Sequence, residues 1–157
     1  MTTTLTAATL TITLTESIEL NGVEQGGTST KTISSVNEVS KRIVTVTSTE
    51  AEVIAFHASA ISSGTFIEGD VRYIRFTNLD DTNFIVLTFK NEDDDEFAIK
   101  LDAGHSFIYP GDNSGGVVDT MDAIAATGLT LALGDLVNVT ADADTASCDM
   151  EIFIASV

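Results

Sequence analysis

The chain is 157 residues long, with 24 acidic residues against 7 basic ones, a formal charge of -17, a single cysteine and no tryptophan. That length fits one domain over 1–157, and a domain of this size buries about 68 to 70% of the surface its unfolded chain exposes, so a core forms without staples. Cys148 alone closes no intramolecular disulfide and builds no thiolate zinc site, and the charge excludes nucleic acid and anionic membrane surfaces as partners.

No run reaches the roughly 18 apolar residues of a membrane helix; the nearest, 123–137, is broken by Thr127, Gly128, Thr130, Gly134 and Asp135. The opening MTTTLTAATLTITL lacks a basic n-region and reads as mature sequence made in a cytoplasm. Leu5, Leu10, Ile12 and Leu14 sit between threonines, the alternation of a strand with one wet face. The strand is expected to run to about Leu20, where Asn21-Gly22 signals a turn. Residues 1–20 can act as an extended arm or an edge strand, with Thr2, Thr3, Thr4 and Leu5 as the candidate contacts to a neighbour, or fray as a terminus.

A second extended block spans Thr32 to Thr47, most apolar at Ile43, Val44 and Val46. Thr49-Glu-Ala-Glu52 has the form of a capping box that could open a helix to Ala60, while Val53 to His57 also alternates as a strand, the reading that the β-rich surroundings favour. VRYIRFTN sets Val71, Tyr73 and Arg75 on one face and Arg72, Ile74 and Phe76 on the other, and FIVLTF follows at 84–89. The polar loop between them makes the pair read as a hairpin, and FAIKL at 97–101 with SFIY at 106–109 reads as the next turn-linked pair. Val117 to Ala126 is ambiguous between loop and a short helical turn. LVNV at 136–139 and CDMEIFIA at 148–155 close the chain, the latter alternating Cys148, Met150, Ile152 and Ile154 against Asp149 and Glu151. Many short strands with Gly, Asn and Asp in the turns predict an all-β fold, an antiparallel β-sandwich, jelly-roll-like, with an extended N-terminal segment.

Few constellations suggest chemistry. KNEDDDEF packs five consecutive carboxylates, but the Gly and ligand spacing of a calcium loop are missing, so the run reads as a solvated hairpin tip. No metal and no cofactor are expected; Asp93 and Asp95 are the pair a cation would use if one bound. GDNSGG at 111–116, with His57 and Asp102 upstream of Ser114, follows the residue order of trypsin-like proteases, but Asn113 separates Asp112 from Ser114 and spoils the oxyanion loop. His57 and His105 stand outside any HxH or HExxH pattern. Cys148 reads as a small buried side chain, and the scarcity of aromatic platforms argues against sugar binding. No enzyme is expected.

The segments YIRFTNLDDTNFIVLTFKN and FAIKLDAGHSFIY carry one resemblance. Their R-hydrophobic-x-N-x-D-x-T-N run, hydrophobic strand and L-x-A-G-x-S-F run resemble small β-sandwich structural proteins of tailed bacteriophages, most closely capsid decoration (cement) proteins. The likeness covers Tyr73 to Tyr109 best, with CDMEIFIASV a weaker match. Physically, Asn78 and Asp80 can hydrogen-bond their own turn, and Gly104 permits a positive φ. The resemblance implies a viral structural protein that sits as a homotrimer on the outer surface of a phage head, located in the virion, with the major capsid protein or another virion protein as partner. A tail-tube, head-tail connection or fibre-base subunit is the alternative, and a glycan-binding module the third.

Overall fold

In a computed structural model the described residues are 4–59, 62, 64–111, 115–122 and 133–157. Eight strands build two packed sheets. One is formed by β5 (Glu38–Val46), β13 (Cys148–Ser156), β8 (Val71–Asn78) and β11 (Ser106–Gly111), in that spatial order. The other is formed by β6 (Ala51–His57), β12 (Leu136–Ala143), β9 (Ile85–Asn91) and β10 (Glu96–Leu101). Every neighbouring pair among these eight is antiparallel. β7 (Thr65–Ile67) adds a short parallel edge to β6.

The chain alternates between sheets as it passes from β5 to β6 and from β8 to β9, then turns within one sheet at β9–β10 and alternates again through β11, β12 and β13. This is the double Greek key of a jelly-roll sandwich. Two local expectations are corrected by it. β8 and β9 do not form a hairpin, nor do β10 and β11: each connection carries the chain across the sandwich from one sheet to the other. A short polar loop serves either purpose, which is why spacing alone points to a hairpin.

The core lies between the sheets, where Ile74, Phe76, Ile152 and Ile154 of the first sheet meet Ile54, Leu87, Phe89 and Val139 of the second, all nearly inaccessible. Phe89 anchors an aromatic group, stacked on Phe97 at 4.6 Å and edge-on to Phe76, Phe107 and Tyr109. The final strand follows its predicted alternation, with Cys148, Met150, Ile152 and Ile154 buried. Residues 51–57 are strand β6, so the helical alternative at Thr49 does not form. At Val117 to Ala126, 117–119 lie in a turn and Met121 bridges Gly134; residues 123–126 lie outside the described residues.

The N-terminal segment is one half of a long ribbon. β1 (Ala8–Thr15) pairs antiparallel with β4 (Thr28–Val36). The ribbon continues through β2 (Glu19–Leu20) and β3 (Val23–Glu24) to a tip at Asn21-Gly22. Both tip residues have positive φ, 53° and 76°, the requirement of a tight hairpin turn that Asn-Gly meets best. The expected break after Leu20 is therefore present, but β1 ends at Thr15, and the second extended block is two strands that part at Asn37.

Candidate interaction surface

The ribbon and the sheet beneath it form a second, smaller apolar cluster on the outer face of the sandwich. Ile33 and Val36 of β4, with half-buried Leu10 and Ile12 of β1, pack on Tyr73, Ala155, Phe153 and Val157. Tyr73 and Phe153 meet edge-on at 6.0 Å, and burial raises the Tyr73 hydroxyl pKa above its usual value. This is why both faces of β8 are apolar: Ile74 and Phe76 face the inner core, Tyr73 the ribbon. The ribbon runs on towards the β11 edge, where Ile12, Leu14, Ser29 and Lys31 flank a groove of about 160 Å³ with Tyr73 and Ile108.

Past that groove the ribbon leaves the body. Every described residue from Thr13 to Lys31 except Gly26 is exposed. Leu14, Ile18, Leu20 and Val23 are each 56 to 60% exposed, and Leu5 is 69% exposed. Half of the ten large apolar side chains that are exposed among the described residues thus fall before Glu24. The tip is locally well made: the Glu24 carboxylate accepts the amides of Ile18 (3.0 Å) and Gly26 (2.7 Å), which hold its pKa below the usual range. Of the candidate contacts, Thr4 and Leu5 are exposed on the approach to β1, while Thr2 and Thr3 lie outside the described residues.

The opposite edge of the same sheet is β5, which among the described residues pairs only with β13. Its outward side chains Val39 and Ile43 are 56 and 61% exposed, with Lys41 between them. Lys41 and Arg75 both bind Glu151, at 3.0 and 2.6 Å, and draw its pKa down. Three of the seven basic residues, Lys31, Lys41 and Arg75, gather on the ribbon root and this outer face.

The motif residues occupy the crossings between sheets. Asn78 is fully buried; its Nδ2 donates to the carbonyls of Asn83 (2.9 Å) and Leu101 (3.1 Å), and its Oδ1 accepts the Asp80 amide (3.0 Å). One side chain thus ties the β8–β9 crossing to the end of β10. The Asp80 carboxylate accepts the amides of Asn83 (2.6 Å) and Thr82 (2.8 Å), which lower its pKa. Gly104 has the positive φ expected of it, 72°. These groups satisfy backbone that leaves its sheet, which a buried crossing demands.

KNEDDDEF is the turn of the β9–β10 hairpin. Asn91, 1% exposed, organises it: its Oδ1 accepts the amides of Asp93 (3.0 Å) and Asp95 (2.8 Å), and its Nδ2 donates to the Met121 carbonyl (3.4 Å). Lys90 pairs with Asp94 at 2.8 Å. Among the described residues no group of three or more His, Cys, Asp or Glu side chains is arranged to hold a metal, Asp93 and Asp95 included. Turn chemistry pointed to Asn78, but Asn91 went unmarked; its place at the last position of β9, before an acidic turn, is the signal that could have found it.

The protease-like residues are not brought together. β6, which carries His57, and β10, which precedes Asp102, are three inter-strand steps apart, about 14 Å at the usual strand spacing. The Asp102 carboxylate is taken by Lys100 at 2.6 Å, and Ser114 lies outside the described residues. Cys148 is buried, and burial raises its thiol pKa, the reverse of a reactive cysteine. Tyr73 and Tyr109 are packed in the two apolar clusters and make no exposed aromatic platform.

No family model matches the sequence, and no curated protein matches it. Among solved structures, one chain described under "Bacillus endospore appendages form a novel family of disulfide-linked pili" is similar at 12% identity, over 76% of this chain and 85% of that one, with a TM-score of 0.40. A likeness of that degree carries no argument about function.

Proposed function

We propose that the protein is a structural component of a virus particle, a capsid decoration protein that binds the outer surface of a phage head as a trimer and reinforces the shell. The observation that carries this reading is the ribbon: a small sandwich extends an arm whose apolar residues Leu14, Ile18, Leu20 and Val23 are exposed among the described residues. Exposed apolar patches of this kind mark surfaces that other proteins cover. The jelly roll, a recurrent architecture of viral capsid domains, and the phage-like motif at Asn78, Asp80 and Gly104 support the same reading. Residues at those positions serve folding, not catalysis, and we assign the protein no reaction.

Binding across capsomer junctions adds interface area, so heads stripped of the protein are expected to release their genome at a lower temperature than decorated heads. Equal release temperatures would overturn the reinforcing role. A tail or fibre-base position is the alternative, and the symmetry of the site in the particle separates the two.

A further inference from the structure

The ribbon tip and the β5 stripe sit at opposite edges of one sheet, and neither is covered by the described residues. An isolated two-stranded hairpin is marginal in water and gains independent stability only from further strands or a packed face. From Thr13 to Thr30 the ribbon is such a hairpin, with Leu20 and Val23 directly paired across it and Leu14 and Ile18 alongside. At the far edge, the nine residues of β5 pair with β13 on one side and have no neighbouring strand on the other among the described residues, with Val39 and Ile43 exposed on the face the ribbon leaves bare. Long apolar edges of this kind are templates for pairing with another chain.

We infer that the tip of the ribbon, Leu14 to Val23, seats on the β5 stripe of a second copy of this chain. Three observations select a second copy over another occupant. The contact repeats chemistry the chain already uses, since the near half of the same ribbon packs on the same outer face through Leu10, Ile12, Tyr73 and Phe153. Charge agrees: between Thr4 and Thr30 the chain has Glu16, Glu19 and Glu24 and no Lys or Arg. In a protein of formal charge -17 such a tip is repelled by most of another copy's surface, whereas the outer face beside β5 sets Lys41 and Arg75 against Glu151 and Asp149 and so carries no net negative charge. The geometry also agrees, because the ribbon leaves over the β11 edge and the stripe lies on the β5 edge, so one copy's donor faces the next copy's acceptor.

Donor and acceptor are different surfaces, so the contact is head-to-tail and closes into a ring when the rotation between copies allows. This deepens the oligomer named in the proposed function and holds whether or not the ring sits on a head. The test uses the purified full chain, in which the one native cysteine, Cys148, is buried. Leu20→Cys and Ile43→Cys proteins are mixed and oxidised. A disulfide-linked dimer is expected in the mixture, well above the level in either protein alone, and Leu20→Asp or Ile43→Asp is expected to reduce the oligomer to the mass of one chain by sedimentation. Both positions are exposed in the single chain, so circular dichroism should stay unchanged. A wild-type chain that sediments as a monomer, an oligomer whose mass survives both aspartate substitutions, or a mixture without cross-link would each overturn the inference. Those results leave the question of virion location to particle imaging, so the two failures are distinguishable.

Discussion

Asn78 holds three hydrogen bonds in a site with no access to water. Asn78→Ala leaves two carbonyls and an amide without that partner, and a buried unsatisfied group costs about 1 to 3 kcal/mol. Chemical denaturation is expected to show a loss of about 2 to 3 kcal/mol with an unchanged denaturant slope; a loss within experimental error would mean the crossing repairs itself. Glu68 is the opposite kind of residue. Desolvation, then the charges of Asp135 and Glu92, raise its carboxyl pKa above the usual 4.5. Its folded pKa exceeds its unfolded one, so its contribution is present below pH 4.5 and is lost as pH rises through the folded value. Glu68→Gln is therefore expected to raise the melting temperature at neutral pH and to leave it unchanged in acid. Asp80 and Glu151 have the reverse sign: their pKa values are lowered, so what they contribute is present at neutral pH and lost as pH falls through their folded values.

At the scale of elements, the ribbon and the sandwich depend on separate apolar clusters, with Tyr73 and Ile74 on opposite faces of β8. Leu10→Asp with Ile12→Asp is expected to release the ribbon and cost about 1 to 2 kcal/mol for the half-buried surface lost. Amide exchange should rise through β1 and β4 while β13 stays protected. Loss of protection in both would show that the sandwich needs the ribbon to fold. The strands themselves were legible where one face is wet, as in β13, because the buried set then falls on alternate residues. Partner strands were not: the β8–β9 and β10–β11 connections have the length and residues of hairpin loops, and only the second sheet, gathered from distant segments such as β12, draws the strands apart. The candidate surface was half legible. Thr4 and Leu5 were singled out, but Leu14, Ile18, Leu20 and Val23 look like core positions in sequence, because alternation reports an apolar face without reporting whether anything covers it.

For the whole molecule, a charge of -17 spread over a compact sandwich opposes folding and self-association alike. Raising salt to about 1 M shortens the screening length to about 3 Å, and both the melting temperature and the oligomer fraction are expected to rise with it. A melting temperature that falls with added sodium chloride would contradict a balance set by self-repulsion. Electron microscopy of phage particles probed for this chain measures its location and symmetry together. The account predicts trimers of sandwich-shaped density on the outer surface of the head, with ribbons passing between copies; density confined to the tail, or particles without this chain, would contradict it.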